Sequence, residues 1–142
     1  MVEVSATEAV HATTVAIGGR AVMLVGSSGS GKSDLALRLI DRGARLVSDD
    51  YTELTLGDGI LFAAAPRPIA GQMEVRGIGI VDMPHLDEVP VALVVCLDAR
   101  VERMPEPATC TFAGCAIPAI ALSAFEASAP IKIELVMRRI PS

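Results

Sequence analysis

A chain of 142 residues that is 51% apolar, with a mean hydropathy of +0.51, has enough apolar surface to fold as one domain, which excludes intrinsic disorder. Its 12 Lys and Arg against 17 Asp and Glu leave a net charge of −5, and only 3% of it is aromatic. Neutralising a run of phosphates needs a basic face and stacking bases needs aromatic rings, so nucleic acid is not an expected partner.

Residues 1–19 show neither the basic start nor the continuous apolar run of a secretory signal. Residues 11–17 read as a strand, Gly18-Gly19 as a two-residue hairpin turn, and residues 20–25 as a returning strand buried on both faces. Small residues fill the loop 26–31. A helix is predicted over 32–42, from Leu35, Leu39 and Ile40 at helical spacing, Asp34 in the first turn and Gly43 as the cap. Residues 45–48 form a short strand ending at Asp49-Asp50, and 51–56 with 60–65 form a second hairpin around Gly57-Asp58-Gly59. Glycine alternates with apolar residues over 75–81, which reads as one strand with close backbone neighbours. Residues 91–97 are the most apolar strand. The 19 residues 107–125 carry no charge, but Pro107, Pro118, Gly114 and a surplus of alanine make them buried strand and loop rather than a membrane span. Residues 128–139 read as a helix, with Ser128 as cap, Pro130 near the first turn and a basic end. A strand is the competitor, through Ile131-Lys132-Ile133-Glu134.

With no repeat or linker, residues 1–142 are expected to form a single domain. Cys96, Cys110 and Cys115 are odd in number and lack a CxxC pair, which suits reduced, mostly buried thiols in a cytoplasmic protein. With His11 and His85 the only histidines, no zinc site of ordinary spacing can be assembled.

Gly26-Ser27-Ser28-Gly29-Ser30-Gly31-Lys32-Ser33 is a complete G-x-x-x-x-G-K-S, between a buried strand and a helix. Its glycines let successive N–H groups curl around an anion, and the helix start adds partial positive charge. Lys32 reaches the β- and γ-phosphates of a nucleoside triphosphate, and Ser33 offers an oxygen to magnesium. An acidic protein can therefore bind a nucleoside triphosphate through backbone dipoles and one lysine.

Magnesium also wants a carboxylate at a neighbouring strand end. Asp98, Asp82 and the pair Asp49-Asp50 all follow apolar runs. Asp98 has the cleanest strand. The Asp49-Asp50 pair can divide the labour, one carboxylate near the metal and the other accepting a proton from an attacking hydroxyl. The residues alone leave this choice open.

Four blocks in order resemble the bacterial HPr kinase/phosphorylase family: His11 upstream of the phosphate loop, the loop itself, Arg45-Leu46-Val47-Ser48-Asp49-Asp50, and Glu74-Val75-Arg76-Gly77-Ile78-Gly79-Ile80-Val81-Asp82. The resemblance implies an ATP- and Mg2+-dependent serine kinase acting on HPr, the phosphocarrier of the sugar phosphotransferase system, with phosphorolysis of phosphoserine-HPr as its reverse. It implies Asp50 as proton acceptor, Ser33 and Glu74 as magnesium ligands, Lys32 on the phosphates, and His11 and Asp49 as electrostatic support. Arg103 resembles a later family arginine that contacts the transferring phosphate. Without the resemblance, His11 would be read as a strand histidine. Departures are Ala12 where glycine is usual and residues 122–130 in place of a Pro-, Arg- and Gly-rich segment.

The fold implied is an α/β P-loop kinase domain, with a mixed, hairpin-rich sheet, few helices and a likeness to PEP carboxykinase. It would be a short form consisting of the C-terminal catalytic domain only, forming homo-oligomers and binding neither membrane nor nucleic acid. A nucleotide-sensing module without transfer and a small-molecule kinase are the alternative functions.

Overall fold

In the computed structural model, which describes residues 4–141, the chain runs β1 (Val4–Val10), β2 (Ala12–Ile17), β3 (Arg20–Val25), α1 (Lys32–Asp41), β4 (Arg45–Ser48), β5 (Thr52–Gly57) and β6 (Ile60–Ala64). It continues through β7 (Gln72–Val75), β8 (Gly79–Asp82), β9 (Val89–Cys96), β10 (Ala108–Phe112), β11 (Cys115–Ala121) and α2 (Ala129–Arg139). Among the described residues nine strands make one mixed sheet, and β7 with β8 make a separate hairpin. The main path is β1-β5-β6-β9-β3-β2-β4, with β11 also beside β9 and β10 beside β11. β9 lies parallel to β3 and β11, and antiparallel to β6.

Alternation along β3 builds two cores at once. Val22 and Leu24 join Leu35, Leu39, Ile133 and Met137 beneath the two helices. Ala21 and Met23 point the other way, into a cluster with Val47, Leu54, Leu61 and Val94. Both faces of the central strands are therefore dry, as their unbroken apolar runs predict.

The Gly18-Gly19 and Asp58-Gly59 turns close hairpins as expected, with positive φ at Gly18, Gly19, Asp58 and Gly59. Three expectations need correction. β1 was not anticipated; its partner is β5, some 45 residues on in sequence, so no local signal marks it. The segment 75–81 is not one strand but the end of β7, a turn and the start of β8. Gly77 and Gly79 take φ of +87° and +114°, and Ile78 N–H donates to Val75 O, so the chain reverses where an extended run was expected. The uncharged stretch does form the β10–β11 hairpin, but only part of it is buried, at Ile117, Leu122 and Ala124. β10 pairs with β11 alone among the described residues, and most of its side chains remain exposed.

The thiols are free and half-buried rather than mostly buried. Burial first, and the neighbouring Cys110 second, push the Cys96 thiol up from its ordinary value. No helix among the described residues is long and apolar enough to cross a membrane.

The tail is a helix, but Ser128 makes no side-chain cap. Arg20 instead caps its far end, donating from Nη1 to Ile140 O at 2.8 Å and from Nη2 to Met137 O at 2.9 Å. Arg42 joins the two helices through Glu134, with Nη2 to Oε1 at 2.8 Å. The hydrogen bond from Arg42 holds the Glu134 carboxyl below its ordinary value. A carboxyl depressed on folding stabilises the fold above its unfolded pKa, about 4.3, and loses that contribution as pH falls through the folded value. Glu134→Gln is accordingly expected to flatten the acid limb of stability below about pH 4.3, measured as denaturant midpoint against pH.

Candidate active site

β3 and β9 run parallel and end side by side, and pairing continues one step past them through Leu97 N–H to Val25 O at 2.9 Å. The phosphate loop leaves β3 there and turns into α1 at Gly31, whose φ of +94° no branched side chain would accept. Lys32, almost wholly buried, folds back to donate to Gly26 O at 2.7 Å and Ser27 O at 3.0 Å. Ser30 Oγ is buried without a partner among the described residues, while its N–H donates to Ser27 O at 3.1 Å.

The two adjacent aspartates point to different tasks. Asp49 is buried: its Oδ1 accepts from Ser33 Oγ at 2.7 Å and Thr13 Oγ1 at 3.2 Å, and its Oδ2 accepts from the Glu74 N–H at 3.0 Å. One carboxylate thus ties α1, β2 and β7 together. Asp50 turns outward, its side chain 60% exposed, and its Oδ1 lies 2.8 Å from His11 Nε2, accepting from it in the tautomer protonated there. Tyr51 lies beside the same histidine, ring centroids 5.2 Å apart.

Sequence neighbours diverge like this because the backbone between them is strained. Asp50 has φ of +69°, and Tyr51 N–H bonds Asp49 O at 2.8 Å across it, an uncommon three-residue turn. Thr13 locks that turn from below, since its hydroxyl also accepts the Asp50 N–H at 3.1 Å. Thr13 was not anticipated as a site residue, for a buried strand threonine carries no sequence signal of its own.

The structure brings together His11, Ser33, Asp49, Asp50 and the Glu74 backbone. The Glu74 side chain is exposed and makes no hydrogen bond or ion pair among the described residues. Asp49, to which the family resemblance assigned electrostatic support, is the carboxylate of the pair in contact with Ser33. Asp98 accepts the Ser27 N–H at 2.6 Å, engaging the loop backbone rather than Ser33. Asp82 is exposed on β8, paired across the hairpin with Gln72. Arg103 is exposed in the connection between β9 and β10, without a hydrogen bond among the described residues.

Comparison with known proteins bears on this geometry. The family described as HPr serine kinase C-terminal domain matches residues 2–88, a span holding His11, the loop, both aspartates and Glu74. The chain belongs to that family. Two HPr kinase/phosphorylases are similar to it: that of Exiguobacterium sibiricum, 49% identical over 85 residues, and that of a Geobacillus species, 46% identical over 81. Those alignments cover 59% and 56% of this chain but 27% and 26% of the relatives, so the chain spans about a quarter of their length. A solved structure of the Hpr(Ser) kinase/phosphatase from Coxiella burnetii superposes with a TM-score of 0.81 at 28% identity, covering 93% of this chain and 95% of that one. The α/β fold with a curled mixed sheet and few helices is therefore that of an HPr kinase domain. Asp98, Arg103 and residues 122–130 all lie beyond the matched span.

Proposed function

We propose that this chain is a serine kinase that moves the γ-phosphoryl of ATP onto HPr or an HPr-like phosphocarrier. The division of the aspartate pair carries the reading: Asp49 inward on Ser33, Asp50 outward on His11. Hard oxygens of Ser33 and Asp49 on one side of the loop are the donor set magnesium favours, and bound there the ion would neutralise phosphate charge. Glu74 is the second carboxylate available nearby, its own N–H held by Asp49.

The chain's own groups do the rest. Loop N–H groups and Lys32, released from the two carbonyls it now holds, bind the phosphates. His11 orients Asp50, which accepts the proton from the attacking serine hydroxyl. Run in reverse with inorganic phosphate, Asp50 would return a proton to the serine oxygen and pyrophosphate would leave. Arg103 is proposed as an outer contact to the transferring group, reached through its own connecting segment. Residues 1–142 are proposed as one catalytic unit acting in the cytoplasm. The outer edge of β10 would pair copies of the chain, which sedimentation at rising concentration tests.

Incubation with labelled ATP, magnesium and an HPr protein should label the partner's serine. ATP binding without transfer to any phosphocarrier favours a nucleotide-sensing module, and labelling of a metabolite with no protein present favours a small-molecule kinase.

A further inference from the structure

Phe125 is 74% exposed, yet the backbone on both sides of it is held in place. Exposed apolar residues need no account when they are scattered. This one sits against the phosphate loop: a Cβ on Gly31 would lie 3.3 Å from its Cε1 and 2.8 Å from Ala124 Cβ. Arg38, on α1, grips the turn on both sides of it. Its Nη2 donates to Ala124 O and its Nη1 to Glu126 O at 3.2 Å, while Asp34 accepts from its Nε at 3.0 Å. Lys132 fixes the Glu126 carboxylate at 2.5 Å. The backbone that carries the ring is thus held by the same helix whose first turn faces the phosphates, so little backbone ordering is left to be done on binding.

The other aromatic side chains are placed for other tasks. Phe62 and Phe112 are half-buried in β6 and β10. Tyr51 leans on His11 beside Asp50, where the acceptor hydroxyl must arrive. Phe125 is the exposed ring touching the loop itself. A nucleotide anchored by its phosphates carries its base on a short tether, and a fixed aromatic at the loop's edge is what a base stacks on.

Resting on the nucleotide-dependent reading above, we propose that Phe125 is the stacking platform for the base of the bound nucleoside triphosphate, held in position by Arg38. Every base has a π-face, so the platform serves affinity more than choice of base.

The chain has no tryptophan, which makes Phe125→Trp a single reporter at the site. ATP should quench that emission and tripolyphosphate, which has the anion but no base, should not. Phe125→Ala should weaken ATP binding about tenfold and leave tripolyphosphate binding unchanged. Equal weakening of both ligands, or of neither, overturns the proposal. So does intact ATP affinity with a raised KM for the phosphocarrier, which would make Phe125 a protein contact instead. Base-dependent quenching in a chain that transfers nothing would support the platform while removing the kinase reading. Normal transfer with unaltered ATP affinity in Phe125→Ala would do the opposite.

Discussion

Asp50→Asn is expected to lower phosphotransfer about 10²- to 10⁴-fold while leaving nucleotide affinity nearly unchanged. An amide cannot take the serine proton, but its oxygen can still accept from His11 Nε2 at the position Oδ1 now holds. Asparagine also tolerates the φ of +69° as well as aspartate does, so the fold should be preserved. Single-turnover transfer and equilibrium binding separate the two effects. An Asn variant that transfers at the wild-type rate removes Asp50 from the role of base. A companion change isolates the strain. Asp50→Gly should abolish transfer yet raise stability by about 1 kcal/mol, because glycine takes a positive φ without the Cβ clash. The exposed His11 pair lost with it is worth little in stability. A higher urea midpoint at unchanged slope is the expected signature. Strain kept at the site and relieved by a disabling mutation is a cost borne for function.

Gly31→Ala should destabilise the chain by about 2–5 kcal/mol, a large part of the 5–15 kcal/mol of an ordinary domain. Two penalties add. A Cβ at φ of +94° costs about 1–2 kcal/mol, and its approach to 2.8 Å from Ala124 Cβ forces an overpacked contact worth about 1–3 kcal/mol. Gly29→Ala is the control, since Gly29 has a similar φ of +85° but nothing within 4 Å of its Cβ position. It should lose only the backbone share, about 1–2 kcal/mol. Equal denaturation midpoints for the two variants would show that the Ala124–Phe125 turn yields freely.

Much of the fold was legible because its signals are local. Gly18-Gly19 and Asp58-Gly59 announce their hairpins by the backbone angles they permit, and 91–97 announces a buried strand by its unbroken apolar run. The two strands missed or misread fail for reasons outside the local pattern. β1 exists because β5 lies alongside it, and the 75–81 segment folds back because two glycines take positive φ where alternation also allowed extension. Both readings compete on equal local terms, and packing decided.

The site divides along the same line. The phosphate loop is contiguous in sequence, so eight residues and their order sufficed to specify an anion cradle at a helix start. The aspartate pair was visible as a pair, with its roles taken from the family resemblance. That Asp49 turns in to Ser33 while Asp50 turns out to His11 is a property of one strained turn, locked by a threonine 36 residues earlier. Asp98 reaches Ser27 from 71 residues away and Arg38 grips the Phe125 turn from 86 and 88. The chain by itself determined which groups are present and where the loop proposed to hold nucleotide phosphates lies, because backbone angles and short-range periodicity are written locally. Only the tertiary structure decided which way each carboxylate points and which ring borders the loop, because those depend on strand register and on contacts closed across most of the chain.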